Sequence, residues 1–158
     1  MDKKTLVEMA ITTAKALGLD PDLVSAICTQ ESNYTPAATR YEKNWGYFYE
    51  VERFSKLLNI TYETEYQLQK FSFGVMQVMG SVARELGFQG HLTELIIPEN
   101  GVLYGCKKLK ALSKRYSDVS DVIAAYNGGN ASKVNGNYGN RKYVDEVQKR
   151  IAILKKIN

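Results

Sequence analysis

Histidine and cysteine are scarce in this chain: His91 is the lone histidine, and Cys28 and Cys106 are the only cysteines among 158 residues. That scarcity removes several chemistries at once. His91 lies between Gly90 and Leu92 in a loop-like stretch, and no Ser-His or Cys-His arrangement has motif support around it, so it reads as a solvated loop residue. Two cysteines make neither a disulfide framework nor a zinc site. Each falls in an apolar helical stretch, where it is expected to pack as a small hydrophobe. A metal would have to rest on carboxylates alone, and no carboxylate spacing suggests one, so neither metal nor cofactor is expected. Apolar runs are short, and none reaches the length of a membrane span. Met1-Asp2-Lys3-Lys4 leads into an amphipathic segment without an uninterrupted apolar stretch or a small-residue cleavage site, so no export signal is expected there. A large excess of either charge sign is missing as well. The formal net charge of +4 is a mild bias towards anionic partners. The aromatics are not interleaved with basic residues as a nucleic-acid stacking platform requires, so no nucleic acid is expected. Lys107, Lys108, Lys110, Lys114 and Arg115 read as a solvated helix face.

What remains is an ordinary globular composition, 44% apolar and 24% charged, which at this length predicts one domain over residues 1–158 with a real core. Helical periodicity dominates, and no strand-period alternation is sustained. Leu6, Val7, Met9, Ala10, Ala14 and Leu17 make the apolar face of a first helix that stops at Gly18. Asp20-Pro21 opens a second, over 21–31, with an N-cap acceptor and proline at the first helical position. Short helices are expected over 51–58 and 64–70. Ser81 reads as the N-cap of a helix over 82–86, closed by Gly87. After Pro98, an amphipathic helix is expected over 101–113. Val119, Val122, Ile123 and Tyr126 predict another, ended by Asn127-Gly128-Gly129. A polar, turn-rich loop then runs to Asn140, and a last helix carries Tyr143, Val144, Val147, Ile151 and Leu154. The fold class is therefore all-α, mainly helical. The segment 33–70 stands apart, with much of the chain's aromatic content, and a long irregular stretch of this kind in a small domain is usually functional.

Glu31 is the first candidate catalytic group. Val24, Ile27 and Glu31 fall at i, i+3 and i+7, so the carboxylate shares a stripe with core side chains. Burial disfavours the charged form of such a carboxyl and raises its pKa, which suits a general acid. The competing reading is a helix-terminal glutamate that rolls out to solvent.

Three motifs decide between these readings: Glu31-Ser32, Gly74-Val75-Met76-Gln77-Val78-Met79, and Ala125-Tyr126-Asn127-Gly128-Gly129. In this order, on a helical domain of this size, they resemble the SLT-type lytic transglycosylases, relatives of goose-type lysozymes. That pattern is Glu-Ser, then Gly-Leu-Met-Gln, then Ala-Tyr-Asn-x-Gly. Pro36, Ala83-Arg84-Glu85-Leu86-Gly87 and Tyr143-Val144 extend the resemblance from about Leu23 to about Arg150. It implies a lysozyme-like domain with an aromatic-rich insertion after the catalytic helix. It implies Glu31 as sole acid/base, with Ser32, Gly74, Gln77, Met79, Tyr126, Asn127 and Tyr143 as substrate-binding residues. Gly74 would allow close backbone approach, the Tyr126 hydroxyl would hydrogen-bond the carboxyl, and Asn127 would end its helix. Three of them have a plainer alternative: Met79 as core, Gln77 as a bracing amide, Asn127 as a helix-end residue. The implied partner is the glycan strand of peptidoglycan, the implied location the bacterial cell wall, and a monomer is the default for a small cleft enzyme. Delivery would come from a phage lysis system, a virion or a missing N-terminal segment.

The implied reaction protonates the oxygen between N-acetylmuramic acid and N-acetylglucosamine. Glu31 then acts as base on the sugar's own C6 hydroxyl, which closes onto C1 and leaves a 1,6-anhydromuramoyl end. The intramolecular nucleophile brings a large proximity advantage. A rival is a lysozyme that uses water and a second carboxylate, for which Glu42 is the candidate, with Glu50 and Glu52 nearby. Another is a catalytically idle wall-binding or virion module. The chain departs from the pattern at Met79-Gly80, where Met-Pro is frequent, and at Gly139, where many members carry an acid. Arg40-Tyr41-Glu42 and the aromatic cluster of the long 33–70 segment, together with Met79-Gly80 and the Asn140-x-x-Tyr143-Val144-Asp145 ending, look more like phage and prophage members.

Overall fold

A computed structural model describes residues 1–157. The chain forms two compact units, one from residues up to Gln30 and from Cys106 onwards, the other from Glu31 to Gly105. Among the described residues there are eight α-helices, as the mainly helical fold class predicts, together with two small sheets.

The first unit opens with α1 (Lys3–Ala16), whose N-cap Asp2 accepts from the Thr5 amide at 2.8 Å. Leu6, Ala10 and Ala14 bury one stripe, and Gly18 takes the left-handed conformation just past the helix end. Most of α2 (Pro21–Ser32) follows, with Leu23 through Cys28 all buried. The unit resumes in the second half of α6 (Pro98–Arg115) and continues through α7 (Val119–Gly128) and α8 (Arg141–Ile157). Asp118 caps α7 by accepting from the Ser120 amide, and Val122 through Tyr126 are buried. α7 packs on α8, which buries Val144 and Val147.

Between α7 and α8 the expected loop contains a hairpin, β4 (Lys133–Val134) and β5 (Asn137–Tyr138). Asn135 and Gly136 both have positive φ, which is the two-residue turn that Asn-Gly favours. The Asp121 carboxylate accepts from the Tyr138 hydroxyl at 2.5 Å and pairs with Lys133 at 3.0 Å, tying the hairpin to α7. These hydrogen bonds, that from Tyr138 first, hold the Asp121 pKa below the usual carboxylate range.

The basic stretch on α6 is not simply a solvated face. Lys110 Nζ donates to the Leu17 carbonyl at 2.6 Å, at the end of α1. Lys108 Nζ donates to the Tyr126 carbonyl at 2.7 Å, near the end of α7, and lies 4.1 Å from the Tyr126 ring centroid. Two of the five cations thus serve helix C-termini, where orphan carbonyls and the macrodipole favour positive charge. Lysines spaced along one helix carry no sign of which carbonyls another helix will bring to them. Cys28 and Cys106 are fully buried and in no disulfide, and burial pushes the Cys106 thiol up to about 12, leaving it unreactive.

The second unit is built around a three-stranded antiparallel sheet of β1 (Thr39–Tyr41), β2 (Phe71–Phe73) and β3 (Val78–Met79). Strands of two and three residues are too short to display alternation, which is why the sequence shows none. Between β1 and β2 lie α3 (Val51–Leu58) and α4 (Tyr62–Leu68), packed on each other. α4 begins two residues before the expected start because Thr61 caps it, accepting from the Thr64 amide. After β3 comes α5 (Gly80–Glu85), with Met79 at the N-cap position. The expected N-cap, Ser81, is instead the second helical residue and fully buried, its hydroxyl accepting from the Trp45 indole at 2.9 Å. A turn of 3-10 helix (Leu92–Ile96) leads into α6, which begins at Pro98 rather than after it.

Gly80 explains one departure from the motif. A Cβ there would lie 2.6 Å from the Leu68 carbonyl oxygen and 2.9 Å from Gln69 Cα. The end of α4 occupies the space that any larger residue following Met79 would need.

Candidate active site

Glu31 is the penultimate residue of α2 and half-buried. The helix ends at Ser32, and the next two residues, Asn33 and Tyr34, both have positive φ, at 51° and 61°. Left-handed backbone costs a non-glycine residue about 1–2 kcal/mol. Two such residues in succession turn the chain sharply away directly behind the carboxylate. Ser32 secures that end. Its Oγ donates to the Val75 carbonyl at 2.7 Å and accepts from the Thr35 amide at 3.0 Å. The Glu-Ser pair therefore divides its work: the serine moors the helix terminus to the β2–β3 turn, and the glutamate stands beside that mooring.

The β2–β3 turn is Gly74-Val75-Met76-Gln77. Gly74 has φ +76°, and a Cβ there would collide with the Leu95 carbonyl oxygen. Gly74→Ala is accordingly expected to cost about 2 kcal/mol or more, the left-handed penalty plus the clash. A denaturant midpoint equal to that of the parent chain would contradict this. Gln77 also has positive φ, 49°, and its side chain is spent inside the unit. Nε2 donates to the Ala38 and Gly74 carbonyls, both at 2.9 Å, and Oε1 accepts from Ser72 Oγ at 2.9 Å. The Gly74 amide donates to the same Ala38 carbonyl at 2.8 Å. Gln77 thus closes the turn onto the chain entering β1, and Met79 lies buried in β3. Ala38 and Ser72 escape sequence reading because their contribution is a carbonyl and a single hydroxyl with no pattern around them.

Tyr126, Asn127 and Tyr143 belong to the first unit. Tyr126 is buried, its backbone and ring held by Lys108 as described above. Asn127 is exposed, and its Oδ1 accepts from Asn140 Nδ2 at 2.9 Å. The same amide donates to the Ala124 carbonyl at 3.0 Å, so Asn140 reinforces the last turn of α7. The residue that ends the helix is Gly129, with φ +81°, rather than Asn127. Gly128, Asn130, Ser132, Gly139 and Asn140 line a cavity of about 220 Å³. All the side chains around it are neutral. Tyr143 is half-buried in the first turn of α8.

Glu42, the candidate second carboxylate, follows β1 and is engaged by its neighbour. Its Oε1 accepts from Arg40 Nε at 2.6 Å and Nη2 at 2.5 Å. Among the described residues no group of three or more His, Cys, Asp or Glu side chains could hold a metal ion, and no helix is long and apolar enough to cross a membrane.

The order of these parts along the chain is that of a known family. The model of the transglycosylase SLT domain matches residues 8–148, nearly the whole chain. No curated protein and no solved structure matches it. With Glu31, the glycine turn and the Tyr126-Asn127 helix end all inside the matched span, the chain belongs to the transglycosylase SLT domain family, whose domains act on the peptidoglycan of the cell wall as lytic transglycosylases.

Proposed function

We propose that this chain cleaves the bond between N-acetylmuramic acid and N-acetylglucosamine without consuming water, forming a 1,6-anhydromuramoyl end, with Glu31 as the single acid and base. The observation that carries this reading is Glu31 itself: a half-buried carboxyl at a moored helix end, inside a span that matches the family model. Protonating a glycosidic oxygen and then accepting a proton from a hydroxyl requires one carboxyl that cycles between its two forms. The C6 hydroxyl is already part of the bound sugar, so the second step needs no captured nucleophile.

The engagement of Glu42 by Arg40 favours one carboxylate over two. One carboxylate oxygen of Glu42, Oε1, is occupied by the Arg40 guanidinium. Hydrolysis through Glu42 is the second reading. The two part company in the product: mass spectrometry of digested wall material is expected to give anhydromuramoyl ends, lighter by one water than reducing ends. Reducing ends alone would establish the lysozyme reading.

Residues 1–158 are proposed as one catalytic domain, since α2 and α6 each run unbroken through a boundary between the two units. Ser32, Gly74, Gln77 and Met79 shape the glycan-binding surface of the second unit largely through backbone, because the Ser32 hydroxyl and the Gln77 amide are engaged within the protein. Tyr126, Asn127 and Tyr143 are the proposed glycan contacts of the first unit. The long 33–70 segment and Met79-Gly80 support a phage or prophage origin, with delivery to the wall by a lysis system or virion, and action as a monomer.

A further inference from the structure

The 33–70 segment carries an aromatic surface that the reaction above does not use. Tyr62 and Tyr66 lie one turn apart on α4, with ring centroids 6.1 Å apart and planes within 16° of parallel. Tyr66 stacks in turn on Phe48, at 4.3 Å and 16°. Lys70 follows just past the end of α4, and its Nζ lies 5.0 Å from the centroid of the Tyr41 ring. Tyr41 packs on Phe71, its register partner across β1 and β2, at 5.1 Å. Tyr62 is 54% exposed and Tyr41 45% exposed. A side-chain hydrogen bond to Tyr41 raises the lysine's pKa. The nearby Glu63 carboxylate is taken up by Gln67 Nε2 at 2.6 Å.

We propose that Tyr62, Tyr66, Tyr41 and Lys70 form an accessory binding surface for the glycan strand of peptidoglycan, separate from the residues that carry the chemistry. The inference rests on the peptidoglycan reading above. A pyranose presents a flat face of C–H groups, and an exposed aromatic ring is the side chain that matches it, with a polar hydroxyl at its edge to meet the sugar's own hydroxyls. Muramic acid adds a carboxylate on its lactyl group, and Lys70 supplies a cation between the two exposed tyrosines. Strand β2, whose Phe73 is buried, links this surface to the candidate site. Tyr41 and Phe71 pair at one end of the sheet, and Phe73, two residues or about 7 Å further along β2, runs directly into the Gly74–Gln77 turn. A strand lying along this sheet would be held at a distance from the bond being cleaved, which would keep the enzyme on the wall between cleavages.

The test is retention on purified sacculi, measured by co-sedimentation in a Glu31→Gln background so that the wall is not consumed. Replacing both exposed rings, Tyr41→Ala with Tyr62→Ala, is expected to weaken retention about tenfold. Tyr41→Phe with Tyr62→Phe, which keeps the stacking faces, is expected to hold retention within about twofold of the background protein. Ile153→Ser, on the exposed face of α8, serves as the surface control and is expected to change nothing. Circular dichroism on each variant reports the fold. Undiminished retention of the double-alanine variant overturns the inference, as does equal loss in the double-phenylalanine variant. Failure of the underlying reading looks different: the parent chain, with Glu31 intact, would leave the same sacculi uncleaved.

Discussion

Glu31→Gln is expected to slow clearing of purified peptidoglycan by about a thousandfold or more, with the fold unchanged. A positioned general acid or base contributes about 10²–10⁴ in rate, and here one carboxyl fills both roles. Glutamine keeps the shape and the hydrogen-bonding edge of glutamate but can neither deliver a proton to the leaving oxygen nor take one from the attacking hydroxyl. Ser32 is untouched by the change, so the helix terminus stays moored to Val75. Thermal unfolding of the variant should therefore track the parent chain within a few degrees, on the order of what about 1 kcal/mol produces in a domain of this size. A turbidity assay on sacculi reads the rate. Lysis by Glu31→Gln at anything near the parental rate would remove this carboxylate from the mechanism and return Glu42 to consideration.

The second large effect is on stability and falls on Arg84→Met. Arg84 and Glu65 form an ion pair with no exposed side-chain surface at either partner. Arg84 Nε and Nη2 reach the two carboxylate oxygens at 2.8 and 3.0 Å, a bidentate arrangement. Nη1 donates to the carbonyls of Phe88 and Gly90 at 2.9 and 2.7 Å, and the guanidinium lies 4.2 Å from the Phe54 ring centroid. Gln69 Nε2 also donates to Glu65, at 2.9 Å, and the Gln69 amide pairs with both backbone groups of Tyr49. One network therefore ties α3, α4 and α5 together from within. Removing the arginine leaves a buried carboxylate without its cation and two carbonyls without donors, for an expected loss of about 3–5 kcal/mol. The double variant Arg84→Met with Glu65→Leu is expected to recover most of that loss, since no charge is then buried alone. Urea titrations of the three proteins decide the matter. A single variant within about 0.5 kcal/mol of the parent, or a double variant no better than the single, would show that the pair does not hold this unit together. Because α5 follows directly on β3, the single variant should also lower wall-lytic activity.

Several helices were legible because their ends announce themselves locally. Asp2, Asp20 and Asp118 stand where capping oxygens are needed, Gly18 and Gly129 take the left-handed conformation that ends a helix, and α3 spans the expected 51–58. The family was legible for a similar reason: its motifs are short, contiguous and in order. The β4–β5 hairpin had a signal too, Asn135-Gly136 at its turn, but strands of two residues offered no alternation to support it. Nothing local marks Ser81 as buried, because its hydroxyl's partner is an indole 36 residues away.

Chain order and residue type alone determined the mainly helical fold, the family, and Glu31 as the first carboxylate to suspect. Those properties depend on neighbours within a few residues or on which side chains are present at all. Tertiary structure decided the rest. It turned Ser32 from a motif partner into a mooring, spent the Gln77 amide on the turn that carries it, and assigned two surface-looking lysines to helix ends. It tied Glu42 to Arg40 and lined up Tyr62 and Tyr66 above Phe48. Each of these depends on which backbone groups, rings or charges a distant segment brings within hydrogen-bonding or stacking range. A polar side chain's partner is set by packing across the fold, and spacing along the chain does not encode it.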